Sequence, residues 1–201
     1  MPSSLKDFMI SKTRVKIMEI FFSNPEEMYY VRELTRAAKE EINAVRRELD
    51  RMLGYGLVRS EQRGNRVYYS LNKRYVFFDE LQKMVAKTTG LGKKIRRLRR
   101  KLGEIEFVMF SGKFVKKTRP HKDEVDLLVI GGIVLPELEV LIKEQEKLLG
   151  REVNYAVFDS KEFEFRKTRR DPFIMDILMN SKVMIIGSSE EFATRKAPGL
   201  N

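Results

Sequence analysis

From Ser11 to Asn24 the chain reads SKTRVKIMEIFFSN, with Val15, Met18, Phe21 and Phe22 at intervals of three, three and one. That spacing predicts an amphipathic helix, and Asn24-Pro25 predicts its end. MYYV, residues 28–31, is a short apolar run with strand character, VRELTRAA predicts a second helix, and KEEINAVRRELDRMLGYGLV predicts a third that stops at Gly54 or Gly56. In the third helix Ile42, Val45, Leu49, Met52 and Leu53 form the apolar stripe that docks it. The period then changes to two. LVRSEQRGNRVYYSL gives two alternating strands around Gly64-Asn65, a hairpin. The period returns to helical in FFDELQKMVAKTTGLGKKIRRLRRKLG, as one stripe of Phe78, Leu81 and Val85 and another of Leu91, Ile95, Leu98 and Leu102, broken near Gly90 to Gly92. After it, IEFVMFSGKF predicts a strand entering a glycine turn, DEVDLLVIGG a second strand, LPELEVLIKEQEKLLG a helix and REVNYAVFD a third strand. The expected fold is mixed, α+β: helices and a hairpin over residues 1–77, amphipathic helices over 78–103, and a small α/β domain over 104–201.

Composition narrows the chemistry. With no cysteine among 201 residues, disulfide frameworks, zinc knuckles and thiol nucleophiles are excluded, and a reducing interior is the natural setting. The opening MPSSLKDF has no apolar signal core, and VDLLVIGGIVL is too short and glycine-interrupted to cross a bilayer. A cytoplasmic protein with no membrane partner is expected. Charged residues make up 34% of the chain, with no Cys or Trp, a balance that leans toward a heat-adapted archaeal source rich in surface ion pairs. The net charge is +11, and residues 1–101 hold 24 of the 40 Lys+Arg against 12 of the 29 Asp+Glu, a net +12 that leaves −1 for residues 102–201. Divided this way, the first half is expected to meet a polyanion.

The third helix supplies the chemistry for that partner. Asn43, Arg46, Arg47 and Asp50 fall on a face away from the apolar stripe, with Arg51 at its edge. Arginine binds guanine O6 and N7 in two-pronged fashion and asparagine does the same for adenine, so this face is equipped to read double-stranded DNA. Arg63 and Arg66 flank Gly64-Asn65 and give the hairpin a basic tip. Helix, helix and basic hairpin is the layout of a winged helix. The run INAVRRELDRMLGYGLVRSEQRGNRVYYSLNKRY resembles the winged-helix domain of ArsR-like prokaryotic transcriptional regulators over roughly residues 10–80, and in particular the subset fused to a minimal nucleotidyltransferase-like domain. No arsenic-type metal sensing carries over, since that chemistry uses Cys and His clusters absent here. The stripe from Leu81 to Leu102 is expected to pair two chains into a homodimer or to lie on its own domain. The run Lys93, Lys94, Arg96, Arg97, Arg99, Arg100 and Lys101 is a solvated face or an extension of phosphate contact.

The second half resembles the minimal nucleotidyltransferase fold of the DNA polymerase beta superfamily over about residues 104–187. Gly112 lies twelve residues before Glu124, and Glu124-Val125-Asp126 occupies the place of the paired Asp-x-Asp. The resemblance implies carboxylates at i and i+2 of a strand holding magnesium, and a Gly-Ser turn cradling phosphate. Here Lys113 replaces the serine, Glu124 pushes its carboxylate out by about one C–C bond, roughly 1.5 Å, and neutral Asn154 stands where a third carboxylate is common. Lys113 is expected to neutralise Glu124 and Asp126, as an internal salt bridge or as part of a pocket that still binds an anion without turning it over. The single histidine, His121, lies in a charged loop and is expected to be uninvolved. The expectation is a DNA-binding transcriptional regulator, homodimeric and without cofactor, whose degenerate second domain serves assembly, effector sensing or contact with transcription machinery or another protein. The alternative is an active nucleotidyltransferase, using magnesium, that its winged helix brings to a target.

Overall fold

The computed structural model describes residues 11–118 and 124–194, so His121 lies outside the described residues. The chain folds as two compact units that divide between Thr88 and Thr89.

In the first unit α1 (Lys12–Ser23) is followed by β1 (Tyr29–Tyr30), α2 (Val31–Ala38), α3 (Ile42–Gly54), β2 (Val58–Arg63), β3 (Arg66–Leu71) and α4 (Phe78–Thr88). Ser11 caps α1 by accepting from the Arg14 N–H at 3.2 Å. The Glu41 carboxylate caps α3 by accepting from the N–H groups of Asn43 and Ala44, both at 2.9 Å, satisfying donors that the first helical turn leaves open. Val15, Met18, Phe21 and Phe22 of α1, Leu34 of α2 and Val45, Leu49 and Met52 of α3 form one core with Leu57 and Tyr69. The three strands pair antiparallel in the order β1-β3-β2. The predicted stripe of α3 needs one correction: Leu53 is 39% exposed while Glu48 is only 5% exposed. Glu48 is tolerated inside because Arg14 reaches it at 2.7 Å and Arg51 at 2.9 Å.

The predicted linker is divided between the units. Phe78 and Val85 of α4 join the core of the first unit. A break at Gly90, with φ at +48°, separates them from α5 (Gly90–Arg97) and α6 (Arg99–Leu102) of the second. Leu91, Ile95 and Leu102 are 4%, 0% and 1% exposed within the single chain. Of the two expectations for this stripe, these residues follow the second: burial inside their own unit already removes the side chains from water.

The second unit continues with β4 (Gly103–Ser111), α7 (Gly112–Val115), β5 (Leu127–Ile133), α8 (Leu135–Leu149), β6 (Tyr155–Phe158), α9 (Ser160–Thr168), α10 (Pro172–Met179), β7 (Lys182–Ile186) and α11 (Ser189–Ala193). The sheet order is β6-β5-β4-β7, with β5 and β6 parallel across the α8 crossover and the other neighbours antiparallel. On one face Phe107, Met109, Leu128, Ile130 and Met184 pack with Phe163, Ile174, Ile177 and Phe192. The alternate residues Val108, Phe110, Leu127 and Val129 are buried as well, so both faces of the sheet are covered. Lys167, 2% exposed, pairs with Glu164 of its own helix at 2.7 Å and ties α9 to the end of α11 by donating to the Thr194 carbonyl at 2.8 Å. Among the described residues no helix is long and apolar enough to cross a membrane.

The fold boundary overturns the division of charge drawn at residue 101. Residues 1–88 carry 17 Lys+Arg against 12 Asp+Glu, a net +5, and residues 89–201 carry 23 against 17, a net +6. Both units are basic.

Candidate functional site

On α3 the side chains of Asn43, Arg46, Arg47, Asp50 and Arg51 are all exposed. They differ in what holds them. Arg51 is bound to buried Glu48, and burial, which alone would raise the Glu48 carboxyl, is outweighed by bonds from Arg14 and Ser11, so this group titrates below the usual glutamate range. Arg46 and Arg47 form no ion pair with any described residue; their positive field, after the N–H bonds from Asn43 and Ala44, helps hold the Glu41 carboxyl low.

The hairpin is a two-residue turn in which Gly64 has φ at +58°, the left-handed geometry that a primed turn requires at its first central position. It sets Arg63 directly opposite Arg66. Two like charges facing each other across an antiparallel pair repel, and each is held by something else. Arg63 grips Glu61 through two bonds of 2.9 and 3.2 Å. Arg66 lies over the ring of Tyr30 at 4.8 Å, and Tyr30 in turn meets Tyr68 edge-on at 5.7 Å. Asn65 is exposed at the tip. The sequence reading missed Tyr30, which carries Arg66, and Tyr68 opposite it, whose ring lies under Arg63 at 5.8 Å; the available signal was the paired aromatics of MYYV and VYYSL.

The turn after β4 is built differently from the phosphate cradle it resembles. A Cβ on Gly112 would fall 1.9 Å from Ser181 Oγ, and the Gly112 N–H donates to the Ser181 carbonyl at 2.7 Å. Glycine is needed here for the close approach of the segment entering β7. Ser111, the nearest hydroxyl, accepts from the Phe114 N–H at 3.1 Å and so caps α7.

The two acids go separate ways, because β5 begins at Leu127 and residues 124–126 lie ahead of it. The expectation that both carboxylates point to one side of a strand is corrected. Glu124 pairs with Lys113 at the mouth of a cleft of about 100 Å3 that also takes in Ser111, Val125, Asp176 and Lys182. Val125 packs on the apolar cluster of Met109 and Ile177. Asp126 is fully buried. Arg151 grasps both its oxygens, at 2.7 and 3.2 Å, and the Asn154 N–H donates to one of them at 3.2 Å. Asn154 closes the arrangement by donating its side-chain amide to the Glu124 carbonyl at 3.1 Å and accepting from the Asp126 N–H at 2.7 Å. Beside them burial, and then the charge of Arg151, lowers the Lys117 ammonium below its ordinary range. The sequence reading assigned Lys113 to both acids, whereas the partner of Asp126 is Arg151, twenty-five positions away in the loop after α8.

No known protein family matches the sequence, and no curated protein does. Among solved structures, a "possible transcriptional regulator" from Methanosarcina mazei Go1 is 20% identical, with a TM-score of 0.32, covering 47% of this chain and 78% of that one. A mutant of the toxin–antitoxin MntA-HpeT is 15% identical, also with a TM-score of 0.32, covering 52% of this chain and 82% of that one. At that level of similarity neither bears on function.

Proposed function

We propose that the protein is a cytoplasmic DNA-binding transcriptional regulator of the ArsR-like winged-helix kind. In this reading α3 enters the major groove, the β2–β3 hairpin is the wing, and the second unit is a nucleotidyltransferase-like domain without catalytic function, used for assembly, partner contact or effector sensing. The observation that carries it is the state of the outer face of α3. Asn43, Arg46 and Arg47 are exposed, the two arginines without ion pairs among the described residues, on a helix whose other face is locked into the core by Val45, Leu49 and Met52. Fixed backbone with unpaired guanidinium groups is what base readout needs.

The residues before β5 do not fit a magnesium ion. Such an ion needs carboxylate oxygens that converge in near-octahedral geometry; Glu124 is engaged by Lys113, and Asp126 is closed off by Arg151 and Asn154. A cleft of about 100 Å3 is also small beside the roughly 300–1,000 Å3 of ordinary ligand pockets. The rival reading as an active nucleotidyltransferase requires Asp126 to leave Arg151.

Pairing into a homodimer belongs to the same proposal, since it would present two recognition helices to half-sites about 34–36 Å apart. What supports it is an aromatic row at the surface of the first unit: half-buried Tyr75 meets Tyr55 at 6.3 Å and Phe77 at 5.9 Å, with Tyr55 43%, Phe77 56% and Val76 76% exposed. The function is tested by pulling down genomic DNA with the full chain and titrating the bound site with salt. Enrichment of a defined site is expected; uniform recovery of all sequences would reject regulation by base readout.

A further inference from the structure

Residues 81–103 contain nine Lys and Arg and no Asp or Glu, in a chain that elsewhere averages about one acid in six residues. Seven of the nine lie at 93–101, and without them the second unit would hold 16 Lys+Arg against 17 Asp+Glu. The whole positive excess of that unit therefore sits on α5 and α6.

Three of the seven are accounted for by the fold. Lys94 pairs with Glu144 of α8 at 2.6 Å, Arg99 donates to the Ile105 carbonyl at 2.8 Å, and Arg96 is half-buried. The other four, Lys93, Arg97, Arg100 and Lys101, are exposed and form no ion pair with any described residue. They follow one another at intervals of four, three and one, and the inward side of the same segment is fixed by Leu91, Ile95 and Leu102. Lys93 and Arg97, four apart on α5, are neighbours, and like charges at that spacing repel; Arg100 and Lys101 follow on α6, beyond the break at Leu98. A solvated helix face ordinarily mixes the two signs. A face of one sign on a rigid support, with its repulsion unrelieved, is what a polyanion relieves when it binds and releases its counterions.

We propose that the outer face of α5 and α6 is a second DNA-binding surface, one that holds the phosphate backbone without reading bases. The choice of duplex DNA as the polyanion rests on the function proposed for the first unit; the surface itself does not.

The test is a salt titration of the full chain on a fluorescent duplex carrying the enriched site and on a random duplex. The probe protein is the variant Lys93→Gln, Arg97→Gln, Arg100→Gln, Lys101→Gln. Each phosphate contact contributes about 0.9 to the slope of log K against log salt, so the fourfold variant is expected to be shallower by about 3 to 4 on both duplexes, with unchanged preference between them. Its thermal midpoint should not fall, because only exposed like charges are removed. A slope within 0.5 of the wild type on both duplexes, as an order-of-magnitude criterion from the same relation, overturns the proposal. If the fourfold variant does not fold, the pair Arg97→Gln, Lys101→Gln is read against an expected change of about 2. Arg46→Ala separates the two readings. Loss of preference there with an unchanged slope in the α5–α6 variant leaves the regulator reading standing and removes this one. The reverse result does the opposite, and failure to bind any duplex at low salt removes both.

Discussion

Arg46 and Arg47 of the first unit and Arg151 of the second do opposite work. In the first, Arg46 and Arg47 stand on the surface of α3 with no ion pair among the described residues. In the second, Arg151 is turned inward and clamps both oxygens of a fully buried aspartate. A charged residue at a motif position says little until its partner is known. Charge left unpaired on a rigid element is available to a ligand; charge matched inside the chain serves the fold. On the proposed reading α3 is the working surface, whereas the contacts of Asp126 make the Glu124-Val125-Asp126 segment a structural joint.

The comparison breaks most visibly at Arg151. Removing one partner of a buried pair strands the other charge in a medium that solvates it poorly, so Arg151→Ala should lower stability by about 3–5 kcal/mol, read from the denaturant midpoint. Asp126→Asn should cost less, because Arg151 can still reach water. An unchanged midpoint in Arg151→Ala would mean that Asp126 is not sealed. A smaller loss is expected at the buried carboxylate of the first unit: Glu48→Gln weakens charge-assisted bonds to Arg14 and Arg51 and should cost about 1.5–3 kcal/mol. Because the Glu48 carboxyl is held below the usual glutamate range, its contribution is present above the unfolded-state value and is lost as pH falls through the folded one. The wild type and Glu48→Gln should therefore converge in stability toward acid, and parallel curves would contradict the assignment.

At the wing the effect is on salt dependence. Arg66→Ala should reduce the slope by about 0.9 on every sequence alike, whereas Arg63 is already matched by Glu61, so Glu61→Ala should steepen it by up to the same amount. The smallest effect is expected at Lys113 and Glu124. Lys113 is exposed and Glu124 only half-buried, and Lys113→Ser with Glu124→Asp should change stability by less than about 1 kcal/mol. It should also leave magnesium affinity unchanged, since Asp126 remains in the grip of Arg151. Tight magnesium binding by that double variant would restore the reading of the segment as a metal site.

The sequence made some of this legible and hid the rest for identifiable reasons. Periodicity placed the helices and hairpin of the first unit because a half-buried helix or strand writes its period into the chain, as Val15, Met18, Phe21 and Phe22 do. It left the Leu91 to Leu102 stripe undecided, since a stripe has the same period whether a second chain or its own unit covers it. The start of β5 at Leu127 was hidden by the acids before it, which alternate like a strand while making irregular contacts. Arg151 was hidden because an ion pair across twenty-five positions leaves no local pattern. The charge division failed for a related reason: the basic run lies next to the first unit in sequence but folds with the second.

The central claim is that α3 reads bases, and it is tested most directly by selecting bound duplexes from a random pool with the wild type, Arg46→Ala and Arg47→Ala, alongside Arg63→Ala and Arg66→Ala. The wild type should enrich a defined site. Each α3 variant should lose about 1–3 kcal/mol on that site and relax preference at one position, while Arg66→Ala weakens all sequences alike and Arg63→Ala, whose charge Glu61 already matches, does so to a smaller extent. Equal, sequence-independent losses at all four arginines would contradict the claim.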